Sequence, residues 1–232
     1  MTRHLLASGL LAGFAVALLA TLLQFAFLER NILLAERYES GALQHFSGAG
    51  HEHAPDTAEP HDHAPPDAPL WQRQAKTFLT MIITYCGYGL LLTAGLALAT
   101  QAGRPVSPVA GLLWGVAGFA AFFLAPAMGL PPELPGVEGA DLTARQLWWL
   151  LCAAATLAGL ALLAYGKGPL PRVAALVLLA LPHLIGAPHP AEFTGILPPE
   201  LAARHAAGSL GVGLVAWVTL GGLARWLLGR SA

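Results

Sequence analysis

Charge is the scarcest thing in this sequence. Asp, Glu, Lys and Arg make up 11% of its 232 residues, against about 25% in an ordinary soluble domain. So few charges cannot cover a water-exposed surface. With 56% hydrophobic residues and a mean hydropathy of +0.60, the chain reads as a polytopic membrane protein. The net charge of −1 offers no basic face to a nucleic acid, so none is expected as a partner. Cysteine is nearly absent too. Cys86 and Cys152 each lie mid-way along an apolar run, which excludes a disulfide framework and leaves them as small core residues. A phosphate-binding loop, a dinucleotide fingerprint and a Ser-His-Asp set are all missing. No enzyme activity and no resident cofactor are expected, and energy from ATP would have to come through another subunit.

What the sequence does have is long apolar stretches. They run from Leu5 to Leu28, Thr77 to Ala99, Val106 to Met128, Leu147 to Tyr165, Leu170 to Ala187 and His205 to Leu228. A helix needs about 20 apolar residues to cross a bilayer. The expectation is therefore one all-α membrane domain, residues 1–232, with about six transmembrane helices. Five would remain if the fifth stretch, which is short and contains Pro182, does not cross. Gly9, Gly13 and Ala17 form a small-xxx-small stripe, and Gly111, Gly115 and Gly118 fall on related faces, so close helix packing is expected at both. Trp148 and Trp149 open the fourth stretch, at an expected interfacial depth.

Between the first two stretches, residues 40–70 are of another kind. The run His45 to Pro69 carries five of the nine histidines, among them His51-Glu-His53 and His61-Asp-His63, interleaved with acids and prolines. Such a composition cannot bury enough apolar surface to offset its ordering entropy, so a disordered loop is expected. In an extended chain, residues i and i+2 point to the same side. Each His-x-His pair can then offer two imidazoles to one ion, and imidazole suits cobalt, nickel, copper and zinc. His45, His51, His53, His61 and His63 are thus candidate metal ligands. The plainer reading is a solvated linker whose histidines bind nothing specific.

All thirteen acids fall in the first, third and fifth loops, while the second and fourth loops and both tails carry only Arg or Lys. Basic residues in short loops mark the cytoplasmic face. Arg3, Arg104, Lys167, Arg172 and Arg230 place both termini inside, although Arg30, Arg37, Arg73, Lys76, Arg145 and Arg204 lie opposite. On this topology the histidine-rich loop faces outward from the plasma membrane. A repeat is also visible. Leu130-Pro-Pro-Glu-Leu134 recurs as Leu197-Pro-Pro-Glu-Leu201, with Ala144-Arg145 and Ala203-Arg204 leading into the next helices. It reads as a helical hairpin used twice in one orientation, and transporters often bind substrate where repeats meet.

Polar groups at membrane depth are rare enough that each is a candidate. His183 follows Pro182, which cannot donate to the carbonyl of Leu178. The helix should bend there and show a carbonyl beside an imidazole, a recurrent cation site. Packing against a neighbouring helix is the competing reading. His189, between Pro188 and Pro190, is an extended loop residue that could serve as a gate ligand. Glu133 and Glu200 hold matching places in the repeat, as paired cation ligands or as acids favoured at helix N-termini. Gln24 and Glu29, at the far end of the first stretch, could line the same path, unless Arg30 neutralises Glu29.

These residues together resemble one family, the CbtA-type predicted cobalt transporter subunits. The resemblance rests on Leu34-Ala-Glu-Arg-Tyr-Glu39, the histidine-rich loop leading to Trp71, Pro126-Ala-Met-Gly-Leu-Pro-Pro-Glu-Leu-Pro-Gly136, Arg145-Gln-Leu-Trp-Trp149 and Leu181-Pro-His-Leu-Ile-Gly-Ala-Pro188. It implies a membrane subunit for Co²⁺ uptake linked to cobalamin biosynthesis. It also implies a small one-span, His-bearing partner of the CbtB type. Nickel or zinc transport is the first alternative, since imidazole alone does not separate these metals. A membrane sensor or scaffold that moves no ion is the second.

Overall fold

In the computed structural model, residues 2–45, 69–104, 107–191 and 195–230 are described. The described residues are mostly helical: α1 (Thr2–Glu39), α2 (Leu70–Gln101), α3 (Pro108–Ala127), α4 (Leu142–Tyr165), α5 (Pro169–Ile185) and α6 (Pro199–Gly229). The expected all-α polytopic bundle is what the chain forms. Five of these helices are long and apolar enough to cross a membrane by length and composition, and α5 is shorter. Its 17 residues span about 25 Å, less than the hydrocarbon core of about 30 Å.

The helices do not stop where the apolar stretches stop. α1 is continuous for 38 residues, about 57 Å, and its last three turns project beyond any bilayer core. α4 and α6 likewise begin several residues before the apolar runs. Local chemistry sets these ends. Ser107 Oγ accepts from the Ala110 N–H at 3.1 Å, and Asp141 Oδ1 accepts from the Ala144 N–H at 2.8 Å. Proline stands in the first turn of α3, α5 and α6, where its missing N–H is not needed. α1 and α3 each contain one π-helical turn, Gln24–Leu28 and Ala120–Leu124.

Three antiparallel pairs build the bundle: α1 with α2, α3 with α6, and α4 with α5, while α6 also packs along α1. Two of these crossings exist because glycine has no Cβ. A Cβ on Gly13 would stand 2.4 Å from the Tyr85 carbonyl oxygen, and one on Gly89 would stand 2.3 Å from that of Gly9. At the other crossing, a Cβ on Gly115 would be 2.3 Å from the Trp217 carbonyl oxygen, and one on Gly221 would be 2.3 Å from that of Gly111. Both stripes expected from the sequence are thus sites of backbone-to-backbone approach.

Aromatic rings fill the middle. Trp217 is buried, with Phe122 stacked on it at 5.4 Å between ring centroids and Tyr88 tilted against it at 4.7 Å. The chain returns to the same end with each hairpin, so the described acids all lie at one end of the bundle, and the charged residues of the opposite end are only Arg and Lys. At the basic end, Arg104 lies over the Tyr165 ring (4.6 Å) and Arg230 over Trp226 (4.1 Å), as side chains at a membrane boundary do.

Gly115→Val should be among the most damaging single changes in the bundle. The added side chain meets backbone, which cannot rotate away, so a loss of about 3 kcal/mol is expected. Thermal unfolding in detergent would read it as a lower midpoint. Gly87→Ala, where a Cβ has nothing within 4 Å, is the control and should leave the midpoint in place.

Candidate functional site

The site grows out of the length of α1. From the last residue of the π-turn onward its inward face carries Leu28, Asn31 and Ala35, all buried. Ala35 joins Leu134, Leu197 and Leu201 in one apolar cluster, with Ile32, Leu34, Tyr38 and Val137 packed around it. Leu134 comes from the first Leu-Pro-Pro-Glu-Leu segment, while Leu197 and Leu201 come from the second. The two copies therefore converge under the projecting end of α1. An isolated antiparallel bridge between Val137 and Gly195 ties their loops together. A bidentate ion pair holds α1 to the start of α2: Arg73 donates to Glu36 Oε2 at 2.8 Å and to Oε1 at 2.5 Å.

Between the loops lies a cavity of about 670 Å³, lined by both pentapeptides and the first turns of α6. Its ionisable lining is Glu133, Glu138, Arg145 and His189. Glu133 accepts from Arg145, so the carboxylate nearest the repeat is already charge-paired. His189 places Nδ1 3.0 Å from the Pro190 carbonyl oxygen. With Nδ1–H donating there, Nε2 is the nitrogen that carries the lone pair.

The repeat is not conformationally equivalent. Glu200 lies in the first turn of α6 and is exposed, where the helix dipole favours an acid. Glu133 lies in an irregular loop and reaches Arg145 instead. The cause lies in the residues just beyond each copy. After the first come Pro135 and Gly136, whose φ of 83° turns the chain away, whereas after the second comes Ala-Ala-Arg-His, which continues as helix.

His183 differs from its expected setting. α5 runs through Pro182 and ends three residues later at Ile185, so the proline stands in the last turn and not at a mid-helix break. The carbonyl of Pro182 accepts from the Trp148 indole N–H at 3.2 Å, and the His183 ring packs edge-on to Trp148 at 6.2 Å. Trp148, expected at the interface, is instead buried, because α4 begins at Leu142, two turns before it. Gln24 opens the π-turn of α1, and its carbonyl accepts from the Glu29 N–H across that turn. His45 is exposed. His51, His53, His61 and His63 lie outside the described residues. Among those described, no three His, Cys, Asp or Glu side chains assemble into a set that could hold a metal.

Sequence reading passed over one residue. His205 is buried at 6% exposure, and its Nδ1 has no hydrogen-bond partner. It stood at the very start of an apolar stretch, next to Arg204, where a histidine looks like a polar boundary. The available signal was that α6 starts six residues earlier, at the Pro-Pro-Glu sequence.

The family model described as "Probable cobalt transporter subunit (CbtA)" matches residues 2–229. The chain belongs to the CbtA family. No curated protein and no solved structure matches it. The family gives this membrane bundle the role of a probable cobalt transporter subunit.

The Glu36–Arg73 pair is half exposed, at 33% and 42%, so solvent screens it. A double-mutant cycle with Glu36→Gln and Arg73→Gln should give a coupling of about 1 kcal/mol. A coupling indistinguishable from zero would mean that the apolar cluster around Ala35 alone holds the projecting helix.

Proposed function

We propose that this CbtA chain is the membrane-embedded subunit of a plasma-membrane uptake transporter for a divalent transition metal, Co²⁺ foremost, serving cobalamin biosynthesis. The observation that carries this reading is the convergence of both Leu-Pro-Pro-Glu-Leu segments on one vestibule at the acidic end. The His-rich stretch, with His45, His51, His53, His61 and His63, follows that end of α1 in the sequence. On this reading it faces outward and concentrates the ion, and the vestibule, with Glu138, His189 and the Arg145-paired Glu133, receives it. Imidazole and carboxylate together suit a first-row divalent ion. Glu200, Gln24, Glu29 and His183 are further pathway candidates. A small one-span, His-bearing membrane subunit of the CbtB type would complete the transporter. Nickel and zinc remain rival cargoes on ligand chemistry.

A second reading, a scaffold or sensor that moves no ion, draws on the aromatic packing of Tyr88, Phe122 and Trp217, which fills the bundle centre. Uptake of radioactive metal by cells expressing the chain separates the two. Competition among Co²⁺, Ni²⁺ and Zn²⁺ in the same assay gives the cargo.

Capture and conduction should be separable. Replacing His51, His53, His61 and His63 together should impair uptake at scarce metal and be largely rescued by excess metal, because only supply is lost. Its pH dependence has a fixed sign. Imidazole ligates only when neutral, with a reference pKa of about 6.5, so capture should fade as pH falls through that region. Ser47→Cys should react with a membrane-impermeant thiol reagent in intact cells. Labelling only after lysis would place the stretch inside and overturn external capture.

His183→Ala tests the remaining polar candidate on α5. A path ligand predicts a lower maximal uptake rate that added metal does not restore. A wild-type maximal rate would assign His183 to packing against Trp148.

A further inference from the structure

Two buried polar side chains lie level with each other where α1 and α6 cross. The register follows from one contact and one shared cluster. A Cβ on Gly208 would stand 2.8 Å from Leu28 Cδ2. Ala35 and Leu201 share the apolar cluster beneath the end of α1. These place the helices antiparallel, with residue 28 at the height of 208 and 35 near that of 201. Asn31 is three residues beyond Leu28, and His205 is three residues before Gly208. At about 1.5 Å per residue the two stand at one height. Both are buried, at 5% and 6% exposure.

The imidazole is oriented but not satisfied. Its Nε2 lies 3.4 Å from Ser209 Oγ, one turn along the same helix, while Nδ1 has no partner. The tautomer that donates Nε2–H to Ser209 leaves Nδ1 as a buried lone pair. A buried polar atom without a partner is a standing cost, which a ligand at Nδ1 would remove. The facing helix supplies the Asn31 carboxamide. Two turns below Asn31 stands Gln24, which opens a π-turn, a distortion frequent at functional sites.

We propose that Asn31 and His205 form a metal site at the α1–α6 crossing, taking a divalent first-row transition ion through His205 Nδ1 and the Asn31 amide oxygen. The inference rests on the transport reading above and names a station between the vestibule and the aromatic centre. Its ligands are neutral, so a divalent ion there keeps part of its water shell and is held weakly. Weak holding suits a station that an ion must also leave. Ser209 positions the ring and is not itself a ligand.

The test is Co²⁺ binding to the full-length protein in detergent, with His51, His53, His61 and His63 all replaced by Ala as background. Bound metal is counted by equilibrium dialysis, and its ligand field is read by visible absorption. His205→Phe should lose one equivalent of Co²⁺ together with its absorption band, and Asn31→Leu should weaken that equivalent about 10-fold. Should the Phe variant fail to fold, His205→Gln, which can still reach Ser209 but has no imidazole, should show the same loss. Binding of as many equivalents, as tightly, in the folded His205 variant as in the background overturns the site.

Cobalt uptake by cells carrying the same variants separates this inference from the transport reading. Uptake without any His205 effect on binding removes the site and leaves transport standing. Binding that depends on His205, in cells that take up no Co²⁺, keeps the site and removes transport.

Discussion

The bundle depends on how closely two backbones can approach in lipid. Lipid tails are as apolar as leucine, so burying leucine against another helix gains little there, and packing has to come from contact itself. Gly9, Gly13 and Gly89 bring α1 onto α2, and Gly111, Gly115 and Gly221 bring α3 onto α6. Large residues are then free to face outward, which is why Leu11, Leu22, Leu113 and Leu151 are exposed without penalty in a bilayer. The same close approach decides where Trp217 goes. Its ring lies where a Cβ on Gly118 would be, 2.2 Å from Cζ3, and the other aromatics gather around it.

The second constraint is the length of α1. A helix that ended at the membrane surface would leave the loops 128–141 and 186–198 without an apolar partner. Instead Ile32, Ala35 and Tyr38 continue the buried face of α1 outward, and Leu134, Leu197 and Leu201 close on it. The vestibule is thus a cavity between loops that are fixed from one side by a projecting helix. Arg73, Arg145 and the acids they hold tie the rest. This accounts for two of the basic residues at the end of the molecule that otherwise carries the acids. They are partners in its ion pairs and say little about membrane sidedness.

The class of the fold was legible because it depends on composition and on run lengths, which the bilayer thickness converts directly into helices. The glycine stripes were legible for the same reason, since one spacing on one helix implies a close neighbour. Pairing between α3 and α6 was not legible, because it joins helices distant in sequence and no periodicity records it. Nor was the fate of the repeat. Leu-Pro-Pro-Glu-Leu is identical in both copies, but its conformation is set by the residues that come next, Pro135-Gly136 in one and a helix-forming run in the other. His183 drew attention through Pro182, and the structure shows that a proline three residues from a helix end makes no mid-helix break. His205 drew none, because burial at a helix–helix crossing depends on the register between α1 and α6.

α6 connects the two ends of the problem. Along one helix it presents Leu201 to the loops, His205 to α1, Trp217 to the aromatic centre and Arg225 to Gly111 near the basic end. On the proposed transport reading, an ion moving from the vestibule to the basic end would have to pass the level of Trp217, where Phe122 and Tyr88 close against the indole. Those rings sit on α3 and α2, so opening that level requires α6 to shift against α3, or its own two halves to shift against each other. Gly208, Gly211 and Gly213 lie between His205 and Trp217, and glycine within a helix costs about 1 kcal/mol relative to alanine. That interval is therefore the softest part of α6. Bending there would move Trp217 relative to His205 while leaving the glycine crossings at Gly115 and Gly221 in place.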